Sequence, residues 1–366
     1  MNGRGRKPGT VRGSAAADQL RHGPAPRRAR RLPLLAFALA VAGCTPVVLP
    51  AGPPMGMADL RDNGIVAPDG VVLPLRRFDP ATPPKAVLLA LHGFNDHSGN
   101  FLTDSIAGLT GGGMLVYAYD QRGFGRAPHR GYWAGGETMA ADAVAAARLL
   151  RQHHPDLPLY LLGESMGAAV AILAGTSRTP PPVDGYVLLA PALWSRDTMN
   201  GFMRGGLWLA SRTIPALGFQ GGVGGVVASD NPEALRRLGR DPLTIRTTRV
   251  DAAVGLVDLM DAAAAALPLC CRGAAGQAVP SLVLFGAKDT VVPTYATRAA
   301  LSRLHDNAGP RLGVYRDGFH LLLAGRNRDE VVRDILAFLA APAAPLPSGA
   351  DADAAPWLAG RLSPGS

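Results

Sequence analysis

One stretch of the chain, residues 159–170, constrains the fold more than any other. An apolar run, Leu159–Leu162, ends abruptly in Gly-Glu-Ser-Met-Gly, and small residues with helical character follow. The pattern predicts a strand, a sharp turn and a helix, with Ser165 at the apex. Gly163 and Gly167 lie two residues on either side of the serine, where a Cβ atom would collide with the opposing backbone. Such a turn lifts the serine hydroxyl clear of the sheet and directs the next backbone N–H groups towards it.

Apolar strands and helical stretches alternate on both sides of this turn. The predicted strands are 86–91, 114–119, 159–162, 183–190, 281–285 and 312–315, and the predicted helices are 137–153, 296–304 and 328–339. Continuous apolar runs are typical of strands buried on both faces. The alternation therefore predicts an α/β class with a doubly wound, mainly parallel sheet. We expect the active site beyond the carboxyl ends of its strands, and an early edge strand at Val71–Phe78.

Composition divides the rest of the chain. We expect a leader at 1–43, a Pro/Gly/Ala-rich tether at 44–58, a core at 59–191 and 279–340, and a disordered tail at 341–366. Residues 192–278 break the alternation of strands and helices, and they predict an inserted helical cap over the active-site edge. We interpret the adjacent Cys270 and Cys271 as small apolar residues near a helix end. A disulfide between the two neighbours, which is strained and rare, is the alternative.

The net charge of +9 belongs to the leader. Residues 1–43 hold nine Lys and Arg and one Asp, a net charge of +8, so the remaining chain carries only +1. We therefore expect no nucleic-acid surface.

The leader ends in a pattern of its own. A basic cluster precedes the apolar run 32–42 and then Gly43-Cys44, which suits a secretory signal and is short for a bilayer span. Val41–Cys44 resembles the lipobox of bacterial lipoproteins. The resemblance implies cleavage before Cys44 and a lipid on its sulfur. Because Thr45 is not the aspartate associated with inner-membrane retention, it implies a place in the cell envelope, at the outer membrane facing the periplasm. An ordinary signal peptide, or a short anchor with an incidental cysteine, is the alternative.

A serine hydroxyl is a poor nucleophile unless an imidazole, oriented by a carboxylate, takes its proton. On a strand-turn-helix of this kind the chain order is serine, acid, histidine. Two histidines follow Ser165. His305 ends a predicted helix among polar neighbours and is expected at the surface. His320 follows a strand closely, where a loop can hold it over the sheet edge, and we predict it as the base.

The acid is also expected just after a strand, and Asp289 is there. Asp258 and Asp261 lie on a predicted cap helix and are expected to be solvated. Asp317 is close to His320 in sequence but is expected to turn away. We therefore predict Asp289 as the residue that orients His320.

The oxyanion of an acyl-transfer reaction needs two N–H donors. The first is expected from Met166, which follows the nucleophile, and the second from the loop after Leu91, at Phe94. We expect His92 to brace that loop. Asp120 and Arg122 are interpreted as forming a structural ion pair or turn hydrogen bonds, and contact with the substrate is the alternative.

Five motifs, in order, carry a family resemblance: residues 92–101 (H-G-F-N-D-H-S-G-N-F), 119–125 (Y-D-Q-R-G-F-G), 163–169 (G-E-S-M-G-A-A), 286–293 (G-A-K-D-T-V-V-P) and 318–320 (G-F-H). Together they resemble the monoacylglycerol lipase/lysophospholipase branch of the α/β-hydrolases, which is grouped with serine aminopeptidase-like (S33) hydrolases.

The resemblance implies an α/β-hydrolase fold with a nucleophile at Ser165, an acid at Asp289 and a base at His320. It places the oxyanion donors at Phe94 and Met166, and it implies no metal or organic cofactor. Phe94 is larger than the small residue often found there, and Ala168 replaces a frequent glycine.

We therefore expect a serine carboxylester hydrolase that acts on single-chain acyl esters, monoacylglycerols or lysophospholipids, with a membrane contact through a lipid on Cys44. An amidase or aminopeptidase of the same fold is one alternative, and a non-catalytic lipid-binding lipoprotein is another. The apolar stripe Leu193–Leu209 either lines an acyl channel or packs the cap on the core. The oligomeric state is left open.

Overall fold

A nine-stranded sheet organises the structure, a computed structural model that describes residues 45–220, 226–304 and 309–361. Its strands, numbered in chain order, are β1 Asp59–Arg61, β2 Gly64–Val66, β3 Val72–Phe78, β4 Ala86–Leu91, β5 Met114–Tyr119, β6 Leu159–Glu164, β7 Gly185–Leu189, β10 Ser281–Gly286 and β11 Arg311–Tyr315. Two further short strands, β8 Gly218–Gln220 and β9 Thr247–Arg249, form a separate antiparallel pair.

The strand order is β1-β2-β3-β5-β4-β6-β7-β10-β11. The six strands from β5 to β11 are parallel, and β4, β5, β7 and β10 are buried along their whole length, as their continuous apolar runs predict. The strand predicted at Val71–Phe78 is present as β3, but its predicted position at the edge is wrong, because β3 pairs with β5 on one side and with β2 on the other. The edge strand on that side is β1, which has three residues and is too short to give a sequence pattern.

Helices cover both faces of the sheet. They are α1 Ile106–Gly111, α2 Gly136–His153, α3 Met166–Thr176, α4 Gly201–Thr213, α5 Pro232–Arg240, α6 Val250–Ala266, α7 Thr294–Leu301, α8 Arg328–Ala340 and α9 Ala350–Leu358. One hydrophobic core lies between the sheet and α2, α3 and α6, and a second lies between the sheet and α1 and α8. This arrangement confirms the predicted doubly wound α/β class.

Helix α6 lies in the core, although our sequence boundary placed it in the cap. It packs against α3 and α2, and Leu259 and Ala263 on its inner face are buried. The alanine-rich surfaces of α3 and α6 let the two helices approach closely. By length and composition alone, Val250–Leu269 is the one helical stretch among the described residues that is long and apolar enough to cross a membrane.

The two ends of the described chain are more ordered than their composition predicts. Helix α9 packs on β11 where we expected a disordered tail, and Trp357 is buried there, stacked on Phe285 with ring centroids 6.0 Å apart. In the expected tether, Leu49 N–H donates to the carbonyl of Trp133 at 2.8 Å. Contacts with residues distant in sequence fix each segment, and composition does not reveal such contacts.

Cys270 and Cys271 follow a 3-10 turn at the end of α6. Both are buried, which agrees with their interpretation as apolar residues. The structure also joins them by a disulfide across a cis peptide bond, so the alternative that we held less favoured, a bridge between the neighbours, is the one present.

Candidate active site

Ser165 occupies the apex of the turn between β6 and α3. Its backbone has φ 54° and ψ −114°, a conformation that costs a residue other than glycine about 1–3 kcal/mol. Hydrogen bonds hold it there: Ser165 N–H donates to the Leu189 carbonyl at 2.9 Å, and its own carbonyl accepts from Ala168 and Ala192 N–H, both at 3.1 Å. The strained turn presents the hydroxyl at the carboxyl edge of the sheet, as the sequence predicts.

The two glycines of the turn are required by close backbone contacts. A Cβ atom on Gly163 would lie 2.4 Å from the Gly167 carbonyl oxygen, and one on Gly167 would lie 2.2 Å from the carbonyl oxygen of Leu91. No side chain fits at either place without moving backbone. The predicted collisions are therefore confirmed.

His320 and Asp289 are brought together on neighbouring loops. Asp289 follows β10, and its Oδ2 atom lies 2.7 Å from Nδ1 of His320. The other carboxylate oxygen, Oδ1, accepts hydrogen bonds from the N–H groups of Val291 and Val292, at 2.8 and 3.1 Å, and these bonds fix the orientation of the carboxylate. Both side chains are buried, and His320 lines the same cavity as Ser165.

The pKa of His320 reflects two opposed effects. Burial disfavours the imidazolium, but the charge and hydrogen bond of Asp289 outweigh burial and raise this pKa above its usual value. The loops that carry the pair also cross closely, because a Cβ atom on Gly286 would lie 2.3 Å from the carbonyl oxygen of Gly318. Asp289 therefore stabilises the imidazolium that forms when His320 accepts a proton, and its hydrogen bond holds the ring in place.

The rejected candidates lie elsewhere. Asp317 is 70% exposed and pairs with Lys288 at 2.8 Å. Asp258 and Asp261 both pair with Arg196, so they are not simply solvated. His305 lies outside the described residues.

The expected oxyanion donors flank the serine. Met166 is the first residue of α3, and Phe94 lies in the loop after β4 and lines the cavity. That loop lies against the nucleophile, since a Cβ atom on Gly93 would be 3.4 Å from Cβ of Ser165. Within the described part of the chain, neither the Phe94 N–H nor the Met166 N–H donates a hydrogen bond. Both donors are thus available to a developing oxyanion.

His92 braces the same loop. Its Nδ1–H donates to the Gly93 carbonyl at 2.8 Å, and its Nε2 accepts from Gln121 N–H at 3.0 Å. Burial lowers the pKa of His92, which keeps this ring neutral. The predicted bracing role is confirmed, and both ring nitrogens are occupied by it.

The turn after β5 is held by structural polar contacts. Asp120 accepts hydrogen bonds from the backbone of Ser98 and Arg126. Arg122 forms buried ion pairs with Asp69 and Asp142, each at 2.6 Å. The structural interpretation of Asp120 and Arg122 is therefore confirmed.

Two buried carboxyl groups that were not predicted as site residues, Asp96 and Glu164, line the same cavity as the serine. Glu164 is buried, with no hydrogen-bond partner for Oε1 in the described structure. Burial, with a smaller contribution from Asp96, raises the pKa of Glu164 to about 8, against an opposing effect of His320. Burial also raises the pKa of Asp96, although Asn100 donates to it at 2.9 Å. The glutamate inside the Gly-Glu-Ser-Met-Gly motif was the available signal.

A largely apolar cavity of about 850 Å³ opens over Ser165 and His320. Its size is typical of a small-molecule site. Its apolar wall comes from α4, α6 and the segment between β7 and α4: Trp194, Phe202, Met203, Leu207, Leu256 and Met260. Within residues 45–220, 226–304 and 309–361, no cluster of His, Cys, Asp or Glu has an arrangement that holds a metal ion.

The predicted apolar stripe therefore has a mixed role. Trp194, Phe202 and Leu207 line the cavity, Leu193 is buried in the core, and Trp208 is 57% exposed.

The mainly parallel sheet, the strained serine turn and the histidine–aspartate pair at its carboxyl edge define a hydrolase of the α/β-hydrolase type. The model of the family described as "Serine aminopeptidase, S33" matches residues 82–327, and the chain belongs to this family.

Relatives and solved structures agree with this assignment. The human monoglyceride lipase is 28% identical over 263 residues, 70% of this chain and 82% of the relative. The monoacylglycerol lipase of Mycolicibacterium smegmatis is 26% identical over 268 residues, 72% of this chain and 90% of the relative. Among solved structures, a soluble variant of the Saccharomyces cerevisiae monoglyceride lipase has a TM-score of 0.61 at 18% identity, covering 81% of this chain and 97% of that one. The Paleococcus ferrophilus monoacylglycerol lipase has a TM-score of 0.57 at 24% identity, covering 73% and 98%.

Proposed function

We propose that this protein is a serine carboxylester hydrolase that cleaves single-chain acyl esters of the monoacylglycerol type through an acyl-enzyme intermediate. The observation that carries the proposal is the position of Ser165 and the His320–Asp289 pair on the wall of a largely apolar cavity. The names of the relatives support the same substrate class.

In the first half of the reaction, His320 takes the proton of Ser165 as the hydroxyl oxygen attacks the ester carbonyl. Asp289 stabilises the imidazolium that forms, consistent with the raised pKa of His320. The tetrahedral oxyanion accepts hydrogen bonds from the backbone N–H groups of Phe94 and Met166. His320 then protonates the departing alcohol, and the acyl group remains on Ser165.

In the second half, a water molecule replaces the alcohol. His320 removes its proton while the oxygen attacks the acyl-enzyme, and the fatty acid leaves as Ser165 regains its proton. The loss of one oxyanion donor in such a reaction costs roughly 10²–10³ in rate. No step needs a group beyond this chain, the ester and water.

The cavity favours an aliphatic acyl chain. Its wall is formed mainly by apolar side chains, many of them from α4 and α6, and Ser165 and His320 are among its few polar lining residues. Burying an acyl chain there stabilises the complex by about 0.8 kcal/mol for each methylene. The polar end of the substrate is thereby left beside the serine and the carboxyl edge of the sheet.

The test is fatty-acid release from a 1-monoacylglycerol by the full chain and by Ser165→Ala. We expect the substitution to remove activity by a factor on the order of 10⁶ without unfolding the protein. Ser177→Ala, at the other end of α3, is the matched control, since its hydroxyl bonds only the Ala174 carbonyl. Hydrolysis that survives Ser165→Ala would refute the mechanism.

The family description raises a second candidate, an aminopeptidase, and Asp96 and Glu164 on the cavity wall are the groups that would hold a substrate amine. Burial raises the pKa of both carboxyls, which weakens them as anionic partners for an ammonium group. Ester hydrolysis is therefore favoured. Amino-acid amides hydrolysed faster than acyl-matched esters would reverse this choice.

We also propose that the mature protein is lipid-anchored at Cys44 in the cell envelope, at the outer membrane facing the periplasm. Cys44 lies outside the described residues, and the support is the sequence pattern of the leader. Val47, three residues on, donates its N–H to Asp251 at 3.2 Å, so an anchor at Cys44 would hold the hydrolase within about 10 Å of the lipid. Cys44→Ala should move the protein from the membrane fraction to the soluble fraction. Membrane retention of that variant would contradict the anchor.

A further inference from the structure

Glu164 is a buried carboxyl group of the active-site cavity that the mechanism proposed above does not use. It directly precedes Ser165 and lines the cavity together with Ser165 and His320. Glu164 is 2% exposed, and its Oε1 atom has no hydrogen-bond partner in the described structure. Unpartnered buried polar atoms are rare and cost free energy, and a part in catalysis is one physical reason for retaining them.

The carboxyl group is connected to the segment that carries the proposed base. Leu323 N–H donates a hydrogen bond to it, and Leu323 lies three residues after His320. Between them, Leu322 N–H donates to the His320 carbonyl at 3.0 Å, so the segment turns tightly. The Leu323 carbonyl accepts a hydrogen bond from the hydroxyl of Ser105. Glu164 therefore joins the serine turn to the loop of His320.

Glu164 and His320 also act on each other electrostatically. Burial lowers the pKa of His320, Asp289 raises it most strongly, and the charge of Glu164 adds to this rise. In the other direction, burial raises the pKa of Glu164 to about 8, against the opposing effect of the His320 charge. At neutral pH the Glu164 carboxyl group is therefore protonated, and it gains its negative charge as the pH rises through about 8.

The remaining titratable groups around the cavity wall are held by partners of their own. On the loop after β4, the carboxylate of Asp96 accepts hydrogen bonds from His97 N–H at 2.8 Å and from Asn100 Nδ2 at 2.9 Å. Four further groups lie on the surrounding loops, each with a partner: His92 with Gly93, His97 with Asp241, Asp120 with Ser98, and Asp289 with His320.

The negative charge of an ionised Glu164 is not neutralised within the cavity. Among the described residues, His320 and Asp96 are the charged groups that act on Glu164. The described residues that line the cavity include no lysine or arginine. The imidazolium of His320 is therefore the cation that this carboxylate stabilises.

We propose that Glu164 is a positioning residue for the base: its carboxylate, once ionised, stabilises the imidazolium of His320 and so speeds acylation of Ser165. The inference rests on the proposed function and adds a second carboxylate to Asp289. An opposite charge in a cavity that excludes water stabilises the imidazolium more than the same charge does in bulk water. The rate of acylation therefore rises when Glu164 ionises.

The proton transfers at the ester are unchanged by this assignment. Glu164 releases its proton to water before the attack and forms no bond to the substrate. The proton of Ser165 still moves to His320 and then to the departing alcohol. A more basic imidazole removes the serine proton more readily, so the effect is expected on acylation.

The first test is the pH dependence of kcat/KM for 1-monolauroylglycerol below its critical micelle concentration, with the uncatalysed rate subtracted and the fold checked by circular dichroism at each pH. Beyond the rise that reports His320, we expect a second rise of roughly threefold to tenfold, centred near pH 8. In Glu164→Gln the second rise should be absent, although the amide oxygen can still accept from Leu323 N–H.

Glu330→Gln is the matched control, because it removes a half-buried carboxyl group of α8 whose pKa is also raised by burial. This variant should keep the second rise. A second rise that persists in Glu164→Gln, or a wild-type profile that stays flat above pH 7, would overturn the inference.

Asp96→Asn distinguishes the two buried carboxyl groups of the cavity. Because the charge of Asp96 helps to raise the pKa of Glu164, its removal should move the second rise to lower pH without abolishing it. A second rise that is lost in Asp96→Asn and kept in Glu164→Gln would assign the charge to Asp96 and overturn the inference.

The second test needs no ester substrate. A fluorophosphonate reacts with an activated serine, so its rate constant of inactivation should show the same second rise in the wild type and lose it in Glu164→Gln. If this rise is found and monolauroylglycerol is not hydrolysed, the role of Glu164 is supported and the proposed function fails alone. Hydrolysis of monolauroylglycerol, with a wild-type inactivation rate that does not rise near pH 8, would retain the function and overturn the inference.

Discussion

The carboxyl edge of the sheet and the helix α4 above it form the two sides of the same cavity, but they are held in place by different contacts. At the sheet edge, backbone packs directly on backbone, and a Cβ atom on Gly167 would lie 2.2 Å from a carbonyl oxygen. On α4, a Cβ atom on Gly205 would have no neighbouring atom within 4 Å. Phe202 lines the cavity and is nevertheless 91% exposed.

This difference explains why the sheet edge can be predicted from the sequence more easily than the α4 side of the cavity. Backbone contact at the sheet edge restricts positions such as Gly163 and Gly167 to glycine, so the motif can be recognised in the sequence. Side-chain contact on α4 requires only apolar character at a few positions. We infer that the sheet edge determines the chemistry and that the α4 side can vary with the substrate. The following predictions test that contrast.

The largest expected effect is on catalysis at the sheet edge. Asp289→Asn should lower kcat for ester hydrolysis by about 10⁴, because an amide does not stabilise the imidazolium and favours the wrong tautomer of His320. Asp317→Asn, at the exposed partner of Lys288, is the control and should change kcat little. A loss below tenfold in Asp289→Asn, with the fold intact by circular dichroism, would show that the pair is not catalytic.

The next largest effect is expected on stability, at the turn between β6 and α3. Gly167→Ala should lower the free energy of unfolding by more than about 4 kcal/mol, or prevent folding, because the new methyl group would displace the strand that carries Leu91. Chemical denaturation measures the loss. A variant that unfolds at the same denaturant concentration as the wild type would show that the turn is not tightly constrained.

The buried carboxyl of Glu164 should make stability depend on pH. Its pKa is about 8 in the folded protein and 4.5 in its ordinary state, so the folded state binds the extra proton between these values. The resulting stability is fully present below pH 4.5 and is lost as pH rises through 8, on the order of 3–5 kcal/mol in all. Denaturation at pH 5 and pH 8 should show a smaller difference in Glu164→Gln than in the wild type. Equal differences in the two proteins would remove Glu164 as the cause.

The smallest effect is expected on α4 and has the opposite sign. Gly205→Ala should raise the free energy of unfolding by about 0.5–1 kcal/mol, because alanine favours the helix and its methyl group points into open space. The midpoint of thermal unfolding reports the change. A loss of several kcal/mol there, comparable with that of Gly167→Ala, would break the contrast between the two sides.

The sheet and the site geometry were predictable because both leave local patterns. Buried parallel strands are continuous apolar runs, and the turn between β6 and α3 requires glycine at positions 163 and 167. His320 and Asp289 each follow a strand, so the topology brings their loops together. The catalytic roles of Ser165 and these two residues stay predictions until activity is measured.

The errors arose where a distant contact decides the structure. Helix α9 forms in a segment whose composition favours disorder, because Trp357 is buried in the core and Arg311 and Arg316 pair with aspartates of the helix. Helix α6 joins the core through small residues that a cap helix also contains. The raised pKa of Glu164 depends on burial and on neighbours distant in sequence, and a pattern of residue types does not show either.

Labelling of the folded wild type with a fluorophosphonate, followed by mass spectrometry of the modified peptide, shows whether Ser165 is an activated nucleophile. We expect one adduct on Ser165, which is lost in Ser165→Ala and forms much more slowly in Asp289→Asn. An unlabelled wild type, or an adduct on another residue that persists in Ser165→Ala, would contradict the claim that this turn carries an activated nucleophile.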